Sequence, residues 1–174
     1  KTKINGLQLI NTKPFFDERG FLNRVYCLNE FKKNKINFSI KQINISFNLT
    51  KKTLRGFHFQ SKPSYEKKII SCLNGSVHNI VIDLRKNSST YLKWQSFKIS
   101  SRNKTAILVP AMCANAFLSL EKNTTILYFH SQYYNKKNSI SFNYKPKNLN
   151  LDWPFSPKVI SKKDKYSKDL NEIL

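Results

Sequence analysis

The sequence predicts an all-β domain of sandwich or barrel type, and three observations carry that prediction. Apolar runs along the 174 residues are short and end in Asn, Ser, Gly or Lys, as strands bounded by turns do. Phe and Tyr are plentiful, at 13 and 8 residues, which suits pleated, half-buried surfaces. No helical pattern is long enough to serve as a crossover between parallel strands. With 40% hydrophobic residues the chain can bury a real core and is expected to form one domain over 1–174. Its parts are an N-terminal arm over 1–35, a barrel core over about 36–134 and a C-terminal arm over 135–174.

In chain order, Asn5-Gly6 is a turn signal before a first strand at Leu7–Ile10. Phe15–Phe21 brackets Gly20 with charged and aromatic residues and reads as an exposed loop presenting Arg19. Asn29–Lys35 suits a short surface helix. From Phe38 to Asn48 the alternation sets Gln42, Asn44 and Ser46 on one face, either a solvent-facing edge or the wall of a polar pocket. Glu66–Leu73 and Ser76–Leu84, joined by Asn74-Gly75, read as a β-hairpin, because Asn-Gly between apolar runs is the strongest short hairpin signal. Further strands are expected at Tyr91–Ile99, Thr105–Val109, Ala116–Leu120 and Thr124–Ser131, with Pro110 breaking the run between two of them. Beyond Tyr134 the composition turns to Asn, Lys, Ser and Pro, a loop-rich, partly helical arm that Trp153 and Phe155 would pin to the barrel. Ser161 suits a helix N-cap, with Asp164 three residues on in the place of a capping-box acid.

Leu54–Gln60, reading Leu-Arg-Gly-Phe-His-Phe-Gln, is the stretch with the most chemistry in it. Period-two alternation sends Phe57 and Phe59 to one face of a strand, with Arg55 beside them, and Gly56, His58 and Gln60 to the other. A glycine two positions before the histidine leaves room for a ligand or another backbone. By itself the stretch fits either a pocket wall or an inert core histidine.

A formal net charge of +21 invites nucleic acid as a partner. Against it, the basic residues are nearly all dispersed lysines, and the five arginines form no cluster suited to bidentate base or phosphate contacts. Most of this charge reads as a solvated surface, a smaller part steering a polyanionic substrate. Cys27, Cys72 and Cys113 are odd in number and widely spaced, so neither a disulfide framework nor a metal knuckle follows. Lys1–Phe16 contains no continuous apolar stretch of the kind a signal peptide or membrane helix needs, and a cytoplasmic protein without membrane attachment is expected.

Several stretches together resemble one known family. Asp17-Glu18-Arg19-Gly20-Phe21, Gln42-Ile43-Asn44, Leu54–Gln60, Lys68 before Asn74-Gly75, Val81–Arg85, Leu127-Tyr128 with Tyr133-Tyr134, Asp152-Trp153-Pro154 and Ser161–Asp164 occur in the order and spacing of dTDP-4-dehydrorhamnose 3,5-epimerases. The resemblance runs from about Phe15 to Asp164. It implies a jelly-roll, cupin-type barrel acting without metal or cofactor on a nucleotide-diphosphate sugar with a 4-keto group. His58 would be the base, Asp164 the carboxylate orienting it, Lys68 the cation at the enolate oxygen and Tyr128 the proton donor on the opposite face. Arg19, Arg24, Gln42, Asn44, Arg55, Gln60, Asn115, Tyr134 and Lys163 fall on substrate-binding positions, with Tyr134 stacking on the base. The counterpart of Arg19 comes from the partner subunit, so a homodimer is implied, serving deoxysugar synthesis for a surface polysaccharide. Three departures fall on recognition positions. Arg24 and Ser139 stand where the family has glutamates, and Asn115 replaces a histidine in Pro110–Phe117. A 3,4-ketoisomerase in a similar barrel and a binding barrel without turnover are the alternatives. Gln60 speaks against the first, since those relatives carry a histidine there.

Overall fold

The computed structural model describes residues 2–174. Its strands are β1 (Gln8–Asn11), β2 (Phe15–Asp17), β3 (Gly20–Leu22), β4 (Gln42–Asn48), β5 (Thr53–Gln60), β6 (Lys68–Asn74) and β7 (Ser76–Asp83). They continue with β8 (Trp94–Ser100), β9 (Thr105–Val109), β10 (Cys113–Ser119), β11 (Thr124–His130), β12 (Ser139–Ser141) and β13 (Val159–Ile160). Two short helices, α1 (Leu28–Lys33) and α2 (Lys162–Lys165), lie in the terminal arms.

Two sheets form a jelly-roll-like sandwich. One has the order β1-β9-β6-β11-β4, the other β12-β5-β10-β7-β8 with β13 added alongside β5. Between them lies a core of Ile70, Val77, Val81, Ile99, Ile107, Phe117 and Ile126, with Tyr128 packed on it. The outer face of the first sheet is covered from the N-terminal side, where Phe31 of α1 and Phe38 pack on Ile69, Leu108 and Phe129. The C-terminal arm covers the outer face of the second sheet, with Phe142, Leu170 and Trp153 packed around Phe57, Ile80 and Ala116. Trp153 is held by its indole N–H donating to Tyr144 O at 2.9 Å. Phe155 lies beneath Lys52, whose Nζ is 4.8 Å from the ring centroid.

Three sequence expectations are corrected. The Asn74-Gly75 turn does not close a hairpin: β6 pairs with β9 and β11 in one sheet, and β7 with β8 and β10 in the other. The dipeptide specifies a chain reversal, and here the reversal is a corner between sheets. Gly75 adopts φ +75°, and a Cβ there would lie 2.5 Å from Thr124 Oγ1. The segment around Arg19 is a small hairpin, with Phe15 opposite Leu22 and Phe16 opposite Phe21. Its cross-strand aromatic pair organises what the charges alone present as a loop.

The third correction concerns β5. His58 lies opposite Asn115 and Arg55 opposite Phe117, so two residues of β5, Gly56 and Phe57, face the single Ala116 of β10. This bulge breaks the period-two alternation and turns Arg55 to the His58 face, away from Phe57. Phe57 and Phe59 remain buried under the C-terminal arm. Gly56 takes φ +119°, and a Cβ there would meet the Ala116 backbone at 2.6 Å. Gly56→Ala is therefore expected to cost about 3 kcal/mol through strain and clash. Urea unfolding that finds the variant as stable as the wild type contradicts the bulge geometry.

Candidate active site

The alternation of β4, β6 and β11 carries polar residues into the space between the sheets at one end of the apolar core. Tyr128 lies in register with Asn44 and Ile70, and His130 with Gln42 and Lys68, so Gln42, Asn44, Lys68, Tyr128 and His130 share one face. Gln42, Asn44 and Ser46 thus lie on the face of the edge strand β4 that is shared with Tyr128 and His130 of its neighbour β11. Across from them β5 supplies Arg55 and His58, and β10 supplies the buried Asn115 directly opposite His58. Two side chains bridge the sheets: Lys68 Nζ donates to His58 O at 3.4 Å, and Arg55 Nε donates to Asn48 Oδ1 at 2.9 Å.

His58 is held by the far end of the chain. Ser161 caps α2 by accepting the Asp164 N–H at 3.1 Å, as the sequence suggests. The Asp164 carboxylate, however, turns away from the helix. Its Oδ1 lies 2.7 Å from His58 Nε2, and its Oδ2 accepts the Gly56 N–H at 3.3 Å. Burial pushes this carboxyl up, but the hydrogen bond and charge of His58, with the Gly56 and Ser161 contacts, hold it below its ordinary 3.8. An ionised Asp164 accepting from Nε2–H leaves Nδ1 of His58 with a free lone pair, and the imidazole keeps 39% of its side chain exposed. Tyr128 differs. Burial pushes its phenol well above the ordinary 10.0, with Arg55 opposing, so it enters any reaction near neutral pH as a proton donor.

The other sequence candidates divide. Gln60 is buried, and its amide is spent on Tyr133 O and Asn135 N, tethering the segment that carries Tyr134. Tyr134 is exposed, its backbone N–H on Gln42 Oε1 at 3.0 Å. Lys163 is an exposed residue of α2, next to Asp164. Arg24 is exposed and paired with Glu30 of α1 at 2.7 Å. Arg19 sits at the turn of the β2–β3 hairpin, its side chain 82% exposed and paired with Asp17 of the same hairpin. Neither Arg19 nor Arg24 joins the cluster within this chain.

Two residues were missed in the sequence: Glu66 and His130. The alternation that turns Tyr128 inward turns His130 inward as well, two residues on, and that signal was available. Among the described residues no three His, Cys, Asp or Glu side chains gather as a metal ion would require.

Comparison with known proteins shows the family. A family model described as dTDP-4-dehydrorhamnose 3,5-epimerase matches residues 1–172. The chain is 31% identical to a dTDP-4-dehydrorhamnose 3,5-epimerase of Shigella flexneri, with 94% of this chain and 91% of that one covered. With the Sinorhizobium fredii enzyme of the same description it shares 30% identity, covering 98% of this chain and 88% of the relative. Among solved structures, the Bacillus anthracis enzyme with TDP and PPi bound superposes with a TM-score of 0.94 at 29% identity, covering 98% and 97% of the two chains. A Legionella pneumophila dTDP-6-deoxy-D-glucose-3,5-epimerase in complex with dTDP-4-keto-L-rhamnose gives 0.93 at 31% identity, covering 99% and 92%.

Asp164→Asn is expected to lower kcat about a hundredfold, because one amide oxygen cannot accept from both Gly56 N–H and His58 Nε2–H and the charge facing the imidazole is lost. A carboxyl held below its ordinary value stabilises the fold fully above that value, and the contribution drains as pH falls through the lower folded value. Thermal midpoints of wild type and variant should therefore differ most above about pH 5 and converge below the ordinary carboxylate range. A gap that stays constant into acid shows that Asp164 is not the ionised partner of His58.

Proposed function

Because the chain belongs to the dTDP-4-dehydrorhamnose 3,5-epimerase family, we propose that it inverts carbon 3, carbon 5 or both in a dTDP-linked 4-keto-6-deoxy sugar. The observation that carries this reading is the buried Asp164 on His58 in a pocket that also holds Lys68 and a protonated Tyr128. A hydrogen on carbon next to a ketone is weakly acidic, so inversion needs a base, a charge partner for the enolate oxygen and an acid on the opposite face.

In this reading His58 Nδ1 removes the proton from the carbon beside the ketone. The electron pair moves onto the ketone oxygen, where the Lys68 ammonium compensates the developing charge. Tyr128 then delivers its phenolic proton to the other face of the same carbon, and exchange with water resets both groups. Asp164 takes no proton and stabilises the imidazolium that forms. Arg55, Gln42, Asn44 and Lys163 serve the diphosphate and nucleoside, with Tyr134 stacking on the base and Asn115 at the sugar end beside His58.

Arg19 serves the same site from a second copy in a homodimer. Supporting this, the hairpin carrying Arg19 stands out with Phe15, Phe16, Phe21 and Leu22 exposed, and the edge strand β4 exposes Ile43, Ile45 and Phe47. Apolar rows of this kind on an edge strand mark an interface. Sedimentation is expected to give a dimer that Ile45→Lys dissociates; a monomeric wild type contradicts the shared site. Three free thiols fit a reducing compartment such as the cytoplasm, where nucleotide sugars for surface polysaccharide are assembled.

The test is incubation in deuterated water with dTDP-, CDP- and GDP-linked 4-keto-6-deoxyglucose, following carbons 3 and 5 by NMR. Deuterium should enter the dTDP sugar at one or both carbons, with inversion. A folded dimer that binds these sugars without exchange overturns the catalytic reading in favour of a binding barrel.

A further inference from the structure

The pocket contains a second carboxylate–imidazole pair that the proton transfers above leave unused. Glu66 and His130 are both buried, and Glu66 Oε1 lies 2.7 Å from His130 Nδ1. Each partner also faces a residue of the site. Glu66 Oε2 is 3.4 Å from Lys68 Nζ, while His130 Nε2 is 3.4 Å from Asn44 Nδ2. From Asn44 the contacts continue: its Oδ1 accepts from Gln42 Nε2 at 3.1 Å, and Gln42 Oε1 accepts the Tyr134 N–H at 3.0 Å.

The polarity of this chain is consistent throughout. Tyr134 donates to Gln42, Gln42 to Asn44, Asn44 to His130 and His130 to Glu66, where a carboxylate that only accepts ends it. Burial pushes the Glu66 carboxyl up, but the His130 hydrogen bond and the Lys68 charge hold it below its ordinary 4.5, so it stands ionised. With the Glu66 carboxylate at Nδ1 and the Asn44 amide nitrogen at Nε2, the contacts match a His130 that donates from Nδ1 and accepts at Nε2. Were the imidazole to carry its proton on Nε2, the Asn44 amide would have to turn over, and Gln42 would lose the acceptor that orients it toward Tyr134.

We propose that Glu66 and His130 are positioning residues serving both ends of the substrate. Glu66 holds the Lys68 ammonium at the enolate end. Through His130, Asn44 and Gln42 the same carboxylate fixes the backbone of Tyr134 at the nucleotide end. A lysine on four flexible methylenes keeps its place only if something fixes its head, and among the described residues the other polar contact of Lys68 is the His58 carbonyl. Likewise Tyr134 is exposed and is held by its backbone alone. The inference rests on the roles assigned above to Lys68 and Tyr134.

Two variants separate the ends. Glu66→Gln keeps an acceptor for His130 but removes the charge facing Lys68, and is expected to lower kcat between about tenfold and a hundredfold. Its calorimetric Kd for dTDP should stay within about threefold of wild type. His130→Phe keeps a ring beside Tyr128 and breaks the chain. It should raise the dTDP Kd about tenfold, with kcat lowered by no more than about threefold. His130→Gln, able to accept from Asn44 and donate to Glu66, should recover part of that affinity. A merely structural pair would lower the melting temperature while moving kcat and Kd together or not at all, and that result overturns the proposal. In the wild-type protein, 15N NMR near neutral pH should give His130 as the Nδ1–H tautomer. An Nε2–H tautomer overturns the proposal whether or not the variants fold. A wild type inert on every nucleotide sugar sinks the activity reading instead, and the tautomer and the dTDP titration then decide this one.

Discussion

The contact between Asp164 and His58 ties the chemistry to the completion of the fold. The two residues lie 106 positions apart, and the carboxylate reaches the imidazole because the C-terminal arm crosses the second sheet and Ser161 caps α2. The arm in turn has somewhere to lie because Phe57, Ile80 and Ala116 offer it an apolar face, closed by Phe142 and Leu170. Burying the carboxylate is unfavourable by itself, and the His58 ring together with the Gly56 N–H offsets that cost. The partner of the His58 imidazole thus comes from near the C-terminal end of the chain.

A second constraint sits two residues before the histidine. A regular β5 would set Arg55 and His58 on opposite faces, the one under the arm and the other in the pocket. The bulge at Gly56-Phe57 gives one extra residue against Ala116, so Arg55 and His58 share a face while both phenylalanines stay in the core. Only glycine fits, because a side chain at that φ would run into the Ala116 backbone. The same residue supplies the N–H that steadies Asp164. Backbone geometry, electrostatics and packing meet in one position.

Much of this was legible in the sequence and some of it was not. The β class, the strands at Thr105–Val109 and Thr124–Ser131, the cap at Ser161 and the polar face of Gln42, Asn44 and Ser46 follow from local periodicity and capping chemistry. Local signals do not name a partner, and that is where the reading failed. Asn74-Gly75 correctly announces a reversal, yet the strands it joins belong to different sheets because each finds its hydrogen bonds elsewhere. Alternation through Leu54–Gln60 misassigned Arg55, since a bulge is set by the facing strand. Glu66 and His130 become a pair only once β6 and β11 lie side by side, although the inward direction of His130 was implied by that of Tyr128. The resemblance gave Arg19 and Arg24 recognition roles, and the chain shows them paired with Asp17 and Glu30 instead.

In the proposed mechanism, proton removal and proton return are the work of different residues on different faces of one carbon. Tyr128→Phe tests it most directly, with solvent deuterium entry and stereochemical inversion followed in the same NMR experiment. Deuterium is expected still to enter with retention, since a basic His58 would remove the proton and return a deuteron to the same face, while inversion is lost. Equal loss of exchange and inversion, or inversion at the wild-type rate, would contradict it.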